Sequence, residues 1–121
     1  MKTFYVTGST AGLYPDEAKL KFKLIVDQLL EMGAEKIIDV SDIAFRSDFT
    51  FKEKIDLRMA AVAQTDCTVM TKDWQESIES QLEFKENRRL NKELRFNSEA
   101  DMEDIKRTLR GELGEVPIIV S

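Results

Sequence analysis

The sequence predicts an α/β fold built on one open parallel sheet, and three observations carry that expectation. Short β-rich runs alternate with longer segments of helical periodicity, the pattern that yields parallel strands joined by right-handed crossovers. Cys67–Met70 lacks the polar alternation of a half-solvated strand, as expected where both faces are buried. The chain has 121 residues, 42% hydrophobic and 34% charged. That suits one domain spanning residues 1–121 with a single core, and it is too apolar for disorder.

In order along the chain, residues 2–7 are β-rich, end at Gly8 and read as the first strand. Gly8 to Gly12 form a loop. Pro15 and Asp16 mark a helix start, with proline in the first turn and an acid at the positive end of the dipole. Leu20, Leu24, Val26, Leu29 and Leu30 then recur at helical spacing, and Gly33 is a plausible residue just past the helix end. Residues 36–40 are the second strand. Residues 41–51 read as a loop with room for a short helical turn. Phe51–Gln64 reads as a helix with Ile55, Met59, Val62 and Ala63 inward. Cys67–Met70 is the third strand. Residues 75–90 form a charged helix with Ile78, Leu82 and Phe84 inward. Residues 92–96 give a fourth strand, residues 98–113 a last helix, and residues 116–120 a fifth strand that Pro117 confines to an edge. A three-layer, flavodoxin-like (Rossmann-like) arrangement follows, with four to five parallel strands in the order 2-1-3-4-5. Strands 1 and 3 then meet at the switch point, where ligands bind beyond the carboxyl ends.

Composition narrows the chemistry. The formal net charge is −5, which argues against binding nucleic-acid polymers or an anionic membrane. No basic n-region with an apolar h-region opens the chain, no apolar run approaches membrane-spanning length, and there is one cysteine; together these lead to an expectation of a cytoplasmic protein. There is no histidine. Zinc sites built from Cys and His and nucleophile systems built on His are excluded. Acid–base work falls to Asp, Glu, Tyr, Lys or Cys67, and no metal or cofactor is expected.

Several stretches have two readings. Gly8-Ser9-Thr10-Ala11-Gly12 can cradle a phosphate on its amides or serve as an ordinary strand-to-helix loop; it matches neither the dinucleotide nor the P-loop fingerprint. Ser77 and Glu83 can contact a ligand and do chemistry. Equally, Ser80-Gln81-Leu82-Glu83 fits a capping box and Asp73 to Glu76 fits another helix start. Trp74, the only tryptophan, can stack on a base or pack as core. Asp66 can act chemically or close a turn, and Cys67 is by default an inert buried thiol. Lys85, Arg88, Arg89, Lys92 and Arg95 are interleaved with acids and read as a solvated face.

Asp66-Cys67, Trp74, Ser77 and Glu83, at these spacings and without gaps, resemble the domain of unknown function 4406 family, which is often phage-encoded. The opening Tyr5-Val6-Thr7-Gly8-Ser9 adds to the resemblance, which covers roughly residues 3 to 96. That family is similar to the nucleoside 2-deoxyribosyltransferases and the deoxynucleoside 5′-monophosphate N-glycosidases. The resemblance implies cleavage or transfer at the N-glycosidic bond of a nucleoside or its monophosphate. It places Tyr5, Gly8, Ser9 and Trp74 beside the ligand and Ser77 on the 5′-phosphate. It makes Glu83 the nucleophile or oxocarbenium stabiliser, a role that needs neither histidine nor metal. Asp56 is the nearest candidate for the general acid, whose own position falls at Arg58. The resemblance also implies a homodimer. Ala11, Asp73 and Glu79 depart from the pattern, and with Arg58 they motivate the alternative of a catalytically inactive nucleotide-binding or sequestering module.

Overall fold

The computed structural model describes residues 2–96. Along the chain lie β1 (Thr3–Thr7), α1 (Pro15–Glu31), β2 (Lys36–Asp39), α2 (Ser41–Ala44), α3 (Phe51–Gln64), β3 (Cys67–Met70), a 3-10 turn (Lys72–Glu76), α4 (Ile78–Arg89) and β4 (Glu93–Phe96). The four strands form one sheet in the order β2-β1-β3-β4. All pairings are parallel, with Tyr5 opposite both Ile38 and Thr68, and Thr68 opposite Leu94. This is the α/β, Rossmann-like architecture expected from the sequence. The predicted helix at 98–113 and strand at 116–120 lie outside the described residues.

The path from β1 to β2 runs one way along the sheet, and the paths onward to β3 and β4 run the other way. Right-handed crossovers therefore put α1 on one face and α3 and α4 on the opposite face. β1 alternates between them, so Tyr5 and Thr7 look toward α3 and α4. Every residue of β3 is buried, as its composition predicted.

Helix α1 starts at Pro15 behind Tyr14, whose amide donates to the Glu17 carboxylate at 2.8 Å. It ends before Gly33, whose φ of +88° is the left-handed conformation expected past a helix end. Its buried residues are Ala18, Phe22, Ile25 and Leu29. Leu20, Leu24 and Leu30 were expected inside but are 69%, 67% and 56% exposed. Two apolar stripes compete on this helix. The one through Leu20 and Leu24 runs on into Asp27 and Glu31, whereas the Ala18–Leu29 stripe continues through every turn and carries Phe22. The continuous stripe buries more apolar area and wins.

Helix α3 is capped by Thr50, which accepts from the Glu53 amide at 3.2 Å while its own amide donates to the Glu53 carboxylate at 3.1 Å. Its buried residues are Arg58, Ala61 and Val62. Ala63, expected inside, is exposed. Helix α4 departs furthest from expectation. It begins at Ile78 with Ser77 as its cap, rather than at 75. Ile78 and Leu82 were expected to face inward, yet they are 71% and 38% exposed. Ser80, Glu83 and Asn87 are buried instead. The helix has turned its polar stripe to the sheet, where Glu83 finds polar partners.

Candidate functional site at the carboxyl edge of the sheet

Those partners are Tyr5 and Thr7 of β1 and Arg58 of α3. The Tyr5 hydroxyl donates to Glu83 Oε2, and the Thr7 hydroxyl donates to Glu83 Oε1 at 2.8 Å. An Arg58 guanidinium nitrogen lies 3.4 Å from the same Oε1. Tyr5, Thr7 and Glu83 are fully buried, and Arg58 is 3% exposed. One carboxylate thus meets two hydroxyl donors and one cation away from bulk water. Burial pushes the Glu83 carboxyl above the ordinary carboxylate range; Arg58, Tyr5 and Thr7 oppose that shift without cancelling it. Burial, and after it the neighbouring Glu83, raises the Tyr5 phenol well above its ordinary value. Tyr5 therefore serves as a fixed hydrogen-bond donor.

Two loops meet beside this cluster at the switch point. Gly8 leaves β1 directly against Thr71, and a Cβ at Gly8 would fall 1.8 Å from the Thr71 hydroxyl oxygen. The glycine is required by this close approach. Asp73 then ties the loops together. It accepts from the Thr71 hydroxyl at 2.5 Å, from the Ser9 amide at 3.3 Å and from Lys21 at 2.5 Å. Lys21 also donates to the Ser9 carbonyl at 2.5 Å. Burial works against the Asp73 charge, but the bonds from Lys21 and Thr71 hold the carboxyl below its ordinary value. The negative charge expected near the site from Asp73 is thus matched by Lys21.

Ser77 caps α4 and accepts from the Ser80 amide at 3.2 Å. Its hydroxyl donates to Glu79 Oε2 at 2.9 Å. Burial works against the Glu79 charge, yet its own backbone amide, Ser77 and the nearby Arg58 keep the carboxyl below its ordinary value. The chain's own carboxylate occupies the hydroxyl that the family resemblance assigns to a phosphate.

The structure brings together Glu83 and Tyr5, with Gly8, Ser9 and Ser77 on the bordering loops. Trp74 lies elsewhere, stacked on Phe84 at 4.5 Å between ring centroids. Phe84 follows Glu83 on the helix and so points about 100° away from it. Asp56 is not brought in; its side chain is 64% exposed and pairs with Lys52 at 3.2 Å. Two residues along the helix turn it about 200° away from Arg58. Sequence reasoning missed Thr7, and it named Arg58 only as the residue standing where the resemblance expects an acid, not as a partner of Glu83. Both had a signal, because Arg58 sits three residues after Ile55 and four before Val62, and Thr7 shares the strand face of Tyr5. Asp66 binds at the opposite edge of the sheet, accepting from the Thr3 amide at 2.8 Å and its hydroxyl at 3.1 Å. Burial pushes the Cys67 thiol up to about 12, so it is inert. Among the described residues, no group of three or more His, Cys, Asp or Glu side chains can hold a metal ion. None of their helices is long and apolar enough to cross a membrane.

No curated protein and no solved structure matches the chain significantly. The family model described as Domain of unknown function (DUF4406) matches residues 2–96, which hold the described sheet and the Tyr5–Arg58–Glu83 cluster, and the chain belongs to that family.

Proposed function

We propose that this protein acts on the N-glycosidic bond of a deoxynucleoside, by hydrolysis or by deoxyribosyl transfer, with Glu83 as nucleophile or oxocarbenium stabiliser. One observation carries the reading: a fully buried carboxylate, held by Tyr5 and Thr7, lies at the carboxyl edge of β1. Burying a carboxylate costs stability. A perturbed carboxyl at a switch point is what a working site looks like. The likeness of the DUF4406 motifs to the deoxyribosyltransferase group supports the same reading, as does chemistry that needs no histidine or metal.

In the proposed step a Glu83 oxygen bonds to the anomeric carbon as the C–N bond breaks. The bond's electron pair leaves with the base, which takes a proton from solvent. Water, or a second base, then displaces the glycosyl ester and returns the carboxylate. Tyr5 and Thr7 aim the carboxylate, and Arg58 favours its charged form. Glu79 on Ser77 favours a substrate with a free 5′-hydroxyl over a 5′-phosphate, since a second anion there would be repelled. The homodimer implied by the family likeness is part of the proposal, and light scattering tests it.

Chromatography for free base, after incubation with deoxynucleosides and their 5′-monophosphates, tests the activity. Release that persists unchanged in Glu83→Ala would sink the role of Glu83. A second reading, ligand binding without turnover, is favoured by Arg58, which neutralises the carboxylate where the resemblance expects an acid. A deoxynucleoside that raises the melting temperature but releases no base supports that reading.

A further inference from the structure

The outward side of α4 carries a second group of side chains that the Glu83 chemistry does not use. A cavity of about 540 Å³ is lined by Trp74, Gln75, Gln81, Phe84, Lys85 and Arg88. Trp74 and Phe84 are stacked at 4.5 Å with an interplanar angle of 16°, and Phe96 backs Trp74 at 6.1 Å. The Gln81 side-chain amide donates to the Gln75 carbonyl at 2.7 Å. That bond ties the 3-10 turn carrying Trp74 to α4, so the aromatic wall is held in place. Two cations stand on the wall. Arg88 lies 6.0 Å from the Phe84 ring centroid. Among the described residues neither Lys85 nor Arg88 forms an ion pair, although the chain is acidic overall and Arg89 next door is paired with Glu86 at 2.6 Å.

From this juxtaposition we infer that the Trp74–Phe84 cleft is a binding site for a planar aromatic anion, separate from the Glu83 cluster. The rings offer a stacking wall, Lys85 and Arg88 supply the countercharge, and the Gln75 and Gln81 side chains supply polar contacts at the rim. Stacking alone tolerates any flat ring; the paired cations add the demand for negative charge. Trp74 follows the end of β3 and Phe96 is the last residue of β4, so the aromatic end of the cleft lies near the carboxyl ends of these strands.

Trp74 is the only tryptophan, so its fluorescence reports on this cleft directly. The probes are adenosine 5′-monophosphate, adenosine and inorganic phosphate. Adenosine 5′-monophosphate should quench the emission saturably, with adenosine and phosphate each weaker by about tenfold or more. Lys85→Gln with Arg88→Gln, both at exposed positions, should weaken that quenching by about tenfold or more. Their melting temperature and any base release from deoxynucleosides should stay as in the parent. No quenching by the monophosphate overturns the site. So does equal quenching by adenosine, quenching that survives loss of both cations, or emission that changes with protein concentration alone and thus reports a second copy in the cleft.

Discussion

Helices α1 and α4 pack on opposite faces of the same sheet and do so by opposite means. The buried face of α1 is Ala18, Phe22, Ile25 and Leu29, an ordinary apolar stripe. The buried face of α4 is Ser80, Glu83 and Asn87, while its apolar Ile78 and Leu82 stand outside. The α1 face gains stability from every residue it buries. The α4 face desolvates a carboxylate and a guanidinium and recovers much of that cost only through fixed partners. A helix that hides its polar stripe and shows its apolar one gives up burial energy, which fits the role proposed for Glu83.

The largest test of this contrast compares Phe22→Ala with Glu83→Ala. Each should destabilise the fold by about 3–5 kcal/mol, the first by leaving a cavity and the second by stranding Arg58. Only Glu83→Ala should abolish base release, by about a thousandfold or more per folded molecule. Denaturant melts alongside chromatographic assays read both effects; a Phe22→Ala protein equally inactive when folded would erase the distinction. Next in size is Arg58→Met. Glu83 must be ionised to act, and its carboxyl is already raised by burial, so activity should fall as pH drops through a value above the ordinary carboxylate range. Arg58 opposes that rise, so Arg58→Met should move the acid limb of the rate profile to higher pH. It should also lower stability, and adding Glu83→Gln should restore much of the loss, because no buried charge is then left unpaired. An unmoved acid limb would show that the limb belongs to another group.

A smaller effect is expected at Glu79. Glu79→Gln removes the anion bonded to Ser77 and should shift preference toward 5′-monophosphates by about tenfold, read from paired substrate titrations. The smallest effects belong to the outward faces. Leu20→Lys and Ile78→Lys should change stability by no more than about 0.5 kcal/mol. Asp56→Asn should leave both activity and melting temperature as they are. A large loss at Ile78 would mean that this face is covered by another surface.

Much of the architecture was legible in the sequence. The bounds of α3 and β3 agree with the residue patterns, as does the strand order through β4, because turns, caps and β-rich runs act within a few residues of themselves. Gly8 was legible as a loop residue, but its reason, the Thr71 hydroxyl pressed against it, was not. The phase of α1 was misread because two stripes share one spacing, and only the sheet chooses between them.

By itself the sequence determined an α/β chain with parallel strands, and its family resemblance pointed to Glu83, Tyr5 and Ser77. The tertiary structure decided which way α4 turns, that Arg58 meets Glu83, that Lys21 neutralises Asp73 and that Trp74 faces a different cleft. The reason lies in the range of the forces involved. A buried polar residue is stable only against its partner, and Glu83 finds Tyr5 78 residues away, Thr7 76 away and Arg58 25 away. Helical periodicity spans one or two turns, so it cannot see those partners and assigns the polar stripe to solvent.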